Sequence, residues 1–259
     1  VGEEGWKEVT GGEALRFKAY VLQFESQPCS FSKNYSTLLT LLNLCSPNSL
    51  VVVPEVAVTG FCYQEKEEAV RFSEKVFLEL LSFSEGLSLT IVITGFEKIN
   101  GKIFNTVKVF DRGREVLSRP KVKLFLPGGE GEHFSAGSLE SVKVVETSVG
   151  VLAPVICFEL RFYEIIKRLK EQGGEVFTVP AQWGRARRDH WETLIKARAI
   201  EFQRFFIGAN GSGQMAGSSK IVDPWGRVIS ECKDGTAVIE GEVDLSLIKQ
   251  VERKLPLSS

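Results

Sequence analysis

The sequence predicts an α/β protein of layered β-sheets covered by outer helices, and three observations carry that reading. Short apolar runs rich in β-branched residues alternate with stretches of helical periodicity. Hairpin turns interrupt the alternation, so helical crossovers do not join every pair of strands. No repeat, low-complexity tract or Pro/Ser-rich linker divides the 259 residues, of which 43% are hydrophobic and 25% charged. A chain of that size and composition is expected to form a single domain over 1–259, with 1–14 an N-terminal extension and 246–259 a C-terminal tail that frays or docks on a partner.

The elements follow in order. Phe17 to Phe24 is the first apolar run, and a helix is expected from Ser32 to Leu44 before a strand at Leu50 to Val53. Ala69, Phe72, Val76, Leu80 and Phe83 recur at three- and four-residue steps, which places them on one face of a helix. A strand from Leu87 to Thr94 meets Asn100-Gly101, two residues that tolerate the positive φ of a type I′ turn, and IFNTVKVF pairs back across it. A second turn at Asp111 to Gly113 leads to the segment with Lys121. After Val151 a buried strand is expected to end at Cys157, with a helix from about Tyr163 and a strand at Val176 to Val179. HWETLIKARAIEFQ reads as a helix, and FFIGAN, SSKIVD, RVIS and AVIEGEV as the remaining strands.

The charge balance excludes several partners. Thirty-two basic and 33 acidic residues give a formal charge of -1 without long like-sign runs, so neither nucleic acid nor a membrane surface is an expected partner. No apolar run reaches a membrane-spanning length, and the first residues lack a signal-like stretch, so a cytoplasmic location is expected. The five cysteines are odd in number and widely spaced, which favours free thiols over a disulfide framework. With only His133 and His190 and no paired-cysteine spacing, no metal or cofactor is expected.

Four segments carry chemistry: VVVPEVAVTGF with Glu55, RPKVKLF with Lys121, GGEGEHFSAG with Glu130, and VICFELRFYE with Cys157. Glu55 follows a buried run and Pro54, a strand end where open α/β folds build their sites; an ordinary solvated acid fits the same place. Cys157 ends an apolar run ahead of a helix, a setting that lowers a thiol pKa, although a buried structural cysteine has the same neighbours.

Together these segments resemble the nitrilase superfamily of carbon–nitrogen hydrolases. The PE...TGF, K...LF, GE...FSAG, CFELRF and HW...ARAIE...N...G.S...DP.G features occur in the family's order and spacing from about Phe17 to Glu242. The resemblance implies a four-layer α-β-β-α sandwich that dimerises into an eight-layer block, and a small carboxamide as substrate. It implies Cys157 as nucleophile, Glu55 as general base, Lys121 with the Phe158 backbone N–H as oxyanion stabilisers, and Glu130 as the acid that orients the lysine. Lys123 rivals Lys121, and Glu132 rivals Glu130. Phe61, Trp183 and Arg187 are the expected substrate contacts, the last two by likeness to the omega-amidase branch, with Arg185 and Arg188 as further carboxylate partners. Arg161 and Glu164 are expected to be structural, pairing within the chain or across the dimer, and His190 to start a helix or lie at an interface. N-carbamoyl cleavage uses the same triad and is the alternative reaction; a silent scaffold of the same fold is the non-enzymatic one, against which the intact triad argues.

Overall fold

A computed structural model describes residues 15–257; the expected extension 1–14 and the last two residues of the expected tail lie outside the described residues. The chain begins with strand β1 (Arg16–Gln23), helix α1 (Phe31–Leu42), β2 (Leu50–Val52) and α2 (Lys66–Gly86). β3 (Thr90–Ile99), β4 (Lys102–Asp111) and β5 (Arg114–Pro120) follow as hairpins, then a one-turn α3 (Glu130–His133) and β6 (Val145–Thr147). The second half runs β7 (Gly150–Pro154), α4 (Tyr163–Glu171), β8 (Val176–Ala181), α5 (Arg188–Phe202), β9 (Phe205–Asn210), β10 (Ser219–Val222), β11 (Val228–Cys232), β12 (Ala237–Asp244) and α6 (Ser246–Lys254).

The described residues form two six-stranded sheets, ordered β12-β1-β2-β3-β4-β5 and β11-β10-β9-β8-β7-β6. At the heart of each lie three parallel strands joined by helical crossovers, β1-β2-β3 and β7-β8-β9, flanked by antiparallel strands. Alternating side chains explain the layering. Ala19, Val21, Leu50, Val52 and Val92 enter the core shared with the second sheet, whereas Tyr20, Leu22, Val51, Val53, Ile91 and Ile93 pack with Leu38 of α1 and Leu80 of α2. Because successive residues of a strand point to opposite faces, a strand apolar at both parities needs a cover on each side. The second sheet is covered likewise, with Trp191, Ile195 and Ala199 of α5 buried in the shared core. The architecture is the expected α-β-β-α sandwich.

Local signals held in most places. Asn100 and Gly101 both adopt positive φ, 49° and 78°, at the β3–β4 hairpin. α2 buries Ala69, Val76 and Leu80 and carries Glu67 and Glu68 in its first turn, where acids favour the helix dipole.

Four expectations are corrected. β3 begins at Thr90 rather than Leu87, because Leu87 to Leu89 serve as the helix exit, with the Leu89 N–H donating 2.8 Å to the Ser84 carbonyl. β7 stops at Pro154, short of Cys157. The tail does not fray, since Ser246–Lys254 folds as α6 and buries its own Ile248 and Val251. Cys29 and Cys62 form a disulfide with Cα atoms 4.9 Å apart, leaving Cys45, Cys157 and Cys232 as free thiols. Spacing hid that bond, since the two cysteines are 33 residues apart and only the fold brings their loops together. No helix among the described residues is long and apolar enough to cross a membrane.

Candidate active site

The two sets of parallel strands deliver their C-terminal ends to one cleft, the place where α/β sheets gather polar groups. Glu55 lies just past β2, Cys157 just past β7 and Gln182 just past β8, while Lys121 follows the end of β5. Glu55, Glu130 and Cys157 line a cleft of about 230 Å³ with Phe61, Tyr63, Phe125, Gln182, Arg187 and others.

At its floor, the ammonium of Lys121 is wholly buried and donates 2.7 Å to Oε1 of Glu55 and 2.7 Å to Oε1 of Glu130. Burial alone depresses a lysine, but the carboxylates of Glu55 and Glu130 and the nearby Cys157 outweigh it and raise the Lys121 pKa, so the charge persists. Glu55 is held at every oxygen. Oε1 also accepts 2.8 Å from Asn105 Nδ2, and Oε2 accepts 3.2 Å from the Gln182 N–H. Its backbone is tied across the sheets, its N–H to the Ala181 carbonyl at 3.3 Å and its own carbonyl to Gln182 Nε2 at 2.9 Å. Glu130 is raised by burial, against the pull of Lys121, and its second oxygen accepts 3.0 Å from the Phe125 N–H.

Cys157 opens a five-residue 3-10 turn, Cys157–Arg161, with φ at 44°, a left-handed conformation that a non-glycine residue adopts at a cost of about 1–3 kcal/mol. Val56, next to Glu55, is strained the same way at 41°. The surroundings over-determine both. The Val56 N–H donates 2.6 Å to Thr94 Oγ1, and the Cys157 turn is gripped by the buried carboxylate of Glu159. Glu159 accepts from the Ile156 N–H at 2.8 Å and the Val122 N–H at 2.7 Å, and pairs with Arg119 at 2.9 and 2.8 Å. One carboxylate thus clamps the backbone beside Cys157 to the backbone beside Lys121. The lowered thiol pKa expected at Cys157 is not found. Burial, joined by the charge of Glu55, pushes the thiol well up despite Lys121, and a single 3-10 turn is too short to reverse that.

The rivals separate cleanly. Lys123 stacks on the Phe162 ring at 4.6 Å and faces Glu164 at 3.7 Å, partly in solvent, and Glu132 is exposed. Arg185 and Arg188 both bind Asp234, at 3.3 and 2.6 Å. Arg187 instead lies over the Phe125 ring at 4.9 Å, and neither it nor Arg161 has an acidic partner within 4 Å among the described residues. Within the chain Arg161 and Glu164 therefore do not pair, Glu164 facing Lys123 instead. Arg161 stacks on Trp183 at 4.7 Å, meets His190 Nδ1 in the first turn of α5 at 2.9 Å, and lines a 30 Å³ recess with Cys157, Phe158, Trp183 and Arg187. Burial and the like charge of Arg187 lower its pKa, the mark of two guanidinium groups that share a space without an anion. Trp183 sits beneath them and donates from Nε1 to the Arg187 carbonyl at 2.9 Å.

Sequence reasoning missed Asn105, Gln182 and the Arg119–Glu159 clamp. Asn105 carried a signal as a lone amide inside the run IFNTVKVF, whereas Gln182, just past a strand end, carried none.

The chain is similar to amidases in sequence and to carbon–nitrogen hydrolases in fold. The chain is 29% identical to the 2-oxoglutaramate amidase of Bacillus subtilis across 80% of this chain and 83% of that protein. It is 29% identical to the deaminated glutathione amidase of Mus musculus across 96% of this chain and 90% of the mouse protein. In fold it matches XC1258 of Xanthomonas campestris, a CN-hydrolase superfamily protein, with a TM-score of 0.85 at 22% identity over 93% of this chain and 95% of the other. A mutant of the amidase from Nesterenkonia sp. AN1, which shows covalent addition of the acetamide moiety of fluoroacetamide at the active-site cysteine, matches with a TM-score of 0.81 at 17% identity over 95% of this chain and 100% of that one. The carbon–nitrogen hydrolase family model matches residues 18–253, so the chain belongs to the carbon–nitrogen hydrolases and is an amidase-type enzyme.

Proposed function

We propose that this enzyme hydrolyses the omega-amide of a short dicarboxylate to the diacid and ammonia through a thioester on Cys157. The observation that carries the reading is the buried Lys121 ammonium, bonded to Glu55 and Glu130 in the cleft that also exposes the strained Cys157.

The raised thiol pKa means that Cys157 rests as a thiol, so nucleophilic attack needs a base at the moment of reaction. Glu55 takes the Sγ proton as sulfur adds to the amide carbon. The developing oxyanion is held by the Lys121 ammonium and by the Phe158 N–H, which lies in the opening turn of its segment, where no intrasegment acceptor exists. Glu55 then passes the proton to the leaving nitrogen, ammonia departs, and a thioester remains. In the second half Glu55 deprotonates a water that attacks the thioester, and the returning proton restores the thiol. Glu130 contacts no reacting atom in this scheme; it keeps the Lys121 Nζ aimed into the cleft.

Size and charge support the substrate class. A cleft of about 230 Å³ suits a short acyl chain, and the recess of about 30 Å³ between Arg161 and Arg187 suits one carboxylate. Guanidinium forks lodged over aromatic rings and without an acidic partner among the described residues are available to bind a carboxylate bidentately. A homodimer is part of the proposal, supported by exposed Tyr163 on α4, Ile200 on α5 and Leu255 after α6, and is read by sedimentation.

A panel of acidic and neutral carboxamides, assayed for ammonia and carbon dioxide together, tests the activity. Ammonia alone, with a Cys157 thioester in the quenched intact mass, is the expected result. Stoichiometric carbon dioxide would show N-carbamoyl cleavage instead, and no turnover of any amide would defeat the proposal.

A further inference from the structure

Phe61 and Tyr63 line the same cleft as Glu55, Cys157 and Arg187, and Cys62 lies between them in the chain. Both aromatic side chains face the site. Tyr63 stacks on His133 with ring centroids 3.9 Å apart, and Phe61 packs against Tyr63 and Phe134 at 5.8 and 6.4 Å. The backbone behind them divides sharply in how it is held. Up to Gly60 it is bonded to the body of the protein, with the Thr59 carbonyl accepting 2.9 Å from the Cys29 N–H and the Val58 carbonyl accepting 3.3 Å from Asn34 of α1. Gly60 turns at φ 56° against Pro28, where an added Cβ would come within 2.8 Å of backbone. From Phe61 to Gln64, by contrast, the backbone bonds among the described residues reach only two positions back, Cys62 N–H to the Gly60 carbonyl and Tyr63 N–H to the Phe61 carbonyl. The covalent hold on this stretch is the bond from Cys62 to Cys29.

We propose that the Cys29–Cys62 disulfide is a positioning element of the amide site, fixing Phe61 and Tyr63 against the bound acyl chain, so that a dithiol reductant which opens it weakens substrate binding without touching the triad. The proposal rests on the cleft being the amide site. Cys62 is wholly buried whereas Cys29 is partly exposed, which directs a reagent thiolate to the Cys29 sulfur. The reagent–Cys29 bond forms as the Cys29–Cys62 bond breaks, and the Cys62 thiolate takes a proton. The second reagent thiol then displaces the Cys29 thiol, and the reagent leaves as its own cyclic disulfide, having supplied both electrons. The apolar cluster of Val56, Ala69, Val70, Phe96 and Phe134 around Cys62 keeps the reduced protein folded while the loop gains freedom.

The test labels Cys157 with iodoacetamide, itself a small carboxamide, and follows the Cys157 peptide by mass spectrometry in wild type and in Cys29→Ser/Cys62→Ser. Labelling needs no turnover, so the result stands whichever amide the enzyme cleaves. The expected outcome is a half-saturating concentration about two- to tenfold higher in the double variant, the scale for ordering loop side chains on binding, with the limiting rate unchanged. Dithiothreitol should move wild type to the same value and leave the double variant where it is. Equal half-saturation in the two proteins, even with a lower melting temperature in the variant, would assign the disulfide to stability alone and overturn the proposal, as would finding Cys29 and Cys62 unpaired in a non-reducing peptide map.

Discussion

The ammonium of Lys121 and the carboxyl of Glu55 meet at 2.7 Å with neither side chain exposed, although 66 residues separate them in the chain. This contact joins the end of β2 to the end of β5 and sets the charge of the cleft above it.

The thiol of Cys157 should report that charge directly. Its alkylation rate in the free enzyme should rise with pH to a midpoint above the ordinary thiol value of about 8.5, because burial and Glu55 hold the proton on. Glu55→Gln removes a negative neighbour and should lower the midpoint; Lys121→Met removes the cation and should raise it. Opposite movements would show that the charges around Cys157 are misassigned.

Turnover should fall by about 10²–10⁴-fold in Glu55→Gln and in Lys121→Met, the scale for a lost proton shuttle or oxyanion group, and the double variant should be little worse than either. Cys157→Ala should fold and be inactive. Normal activity in Lys121→Met would dismiss the oxyanion assignment.

The two neighbouring glutamates should behave differently. Glu130→Gln loses the charge that holds Lys121 at 2.7 Å and should lower kcat by at least about tenfold, whereas Glu132→Gln, at the surface, should be near wild type. Steady-state kinetics on the pair decide it.

Glu159→Gln tests the clamp through stability. Removing one member of a wholly buried ion pair costs about 3–5 kcal/mol, read by urea denaturation. Although burial pushes the Glu159 carboxyl up, Arg119 and the backbone N–H donors hold it below its usual range. Its stabilisation is therefore complete above the unfolded value of about 4.3 and is lost as the pH falls through the lower folded value. The variant should lack that part of the acid transition; an unchanged acid limb would remove Glu159 from the account.

Arg187→Met and Arg161→Met should each raise KM for an acidic amide far more than for a neutral amide of matched size, by about tenfold for each lost charge-assisted bond. Equal effects on both substrates would eliminate the carboxylate subsite and leave the amidase reaction in place.

Much of this was legible in the sequence wherever a local rule applied. Asn100-Gly101 announced a hairpin because few other pairs accept two positive φ values, and the strands that are apolar at both parities announced layers on both sides. The segments around Glu55, Lys121, Glu130 and Cys157 stood out by order and spacing, and the fold brings all four to one cleft. Where the outcome depended on what came near, the reading failed or stayed open. Nothing along the chain announced that Trp183 and Arg187 lie beside Arg161, and Cys157 looked acidified until its burial was known.

The sequence by itself determined the α/β layering and the family, because periodicity, turn chemistry and motif spacing are properties of neighbours along the chain. Only the tertiary structure decided that Cys29 bonds Cys62, that Glu159 joins the Cys157 turn to the Lys121 strand, and that Gln182 and Asn105 hold Glu55. Each of those contacts spans 33 residues or more except that of Glu159 with Ile156; Cys29–Cys62 and Asn105–Glu55 need the order of strands within the first sheet, and Glu159–Val122 and Gln182–Glu55 reach bonding range only when the two sheets have packed face to face. Charge and proton affinity followed from the same packing, since the field at a buried group is set by what surrounds it in space.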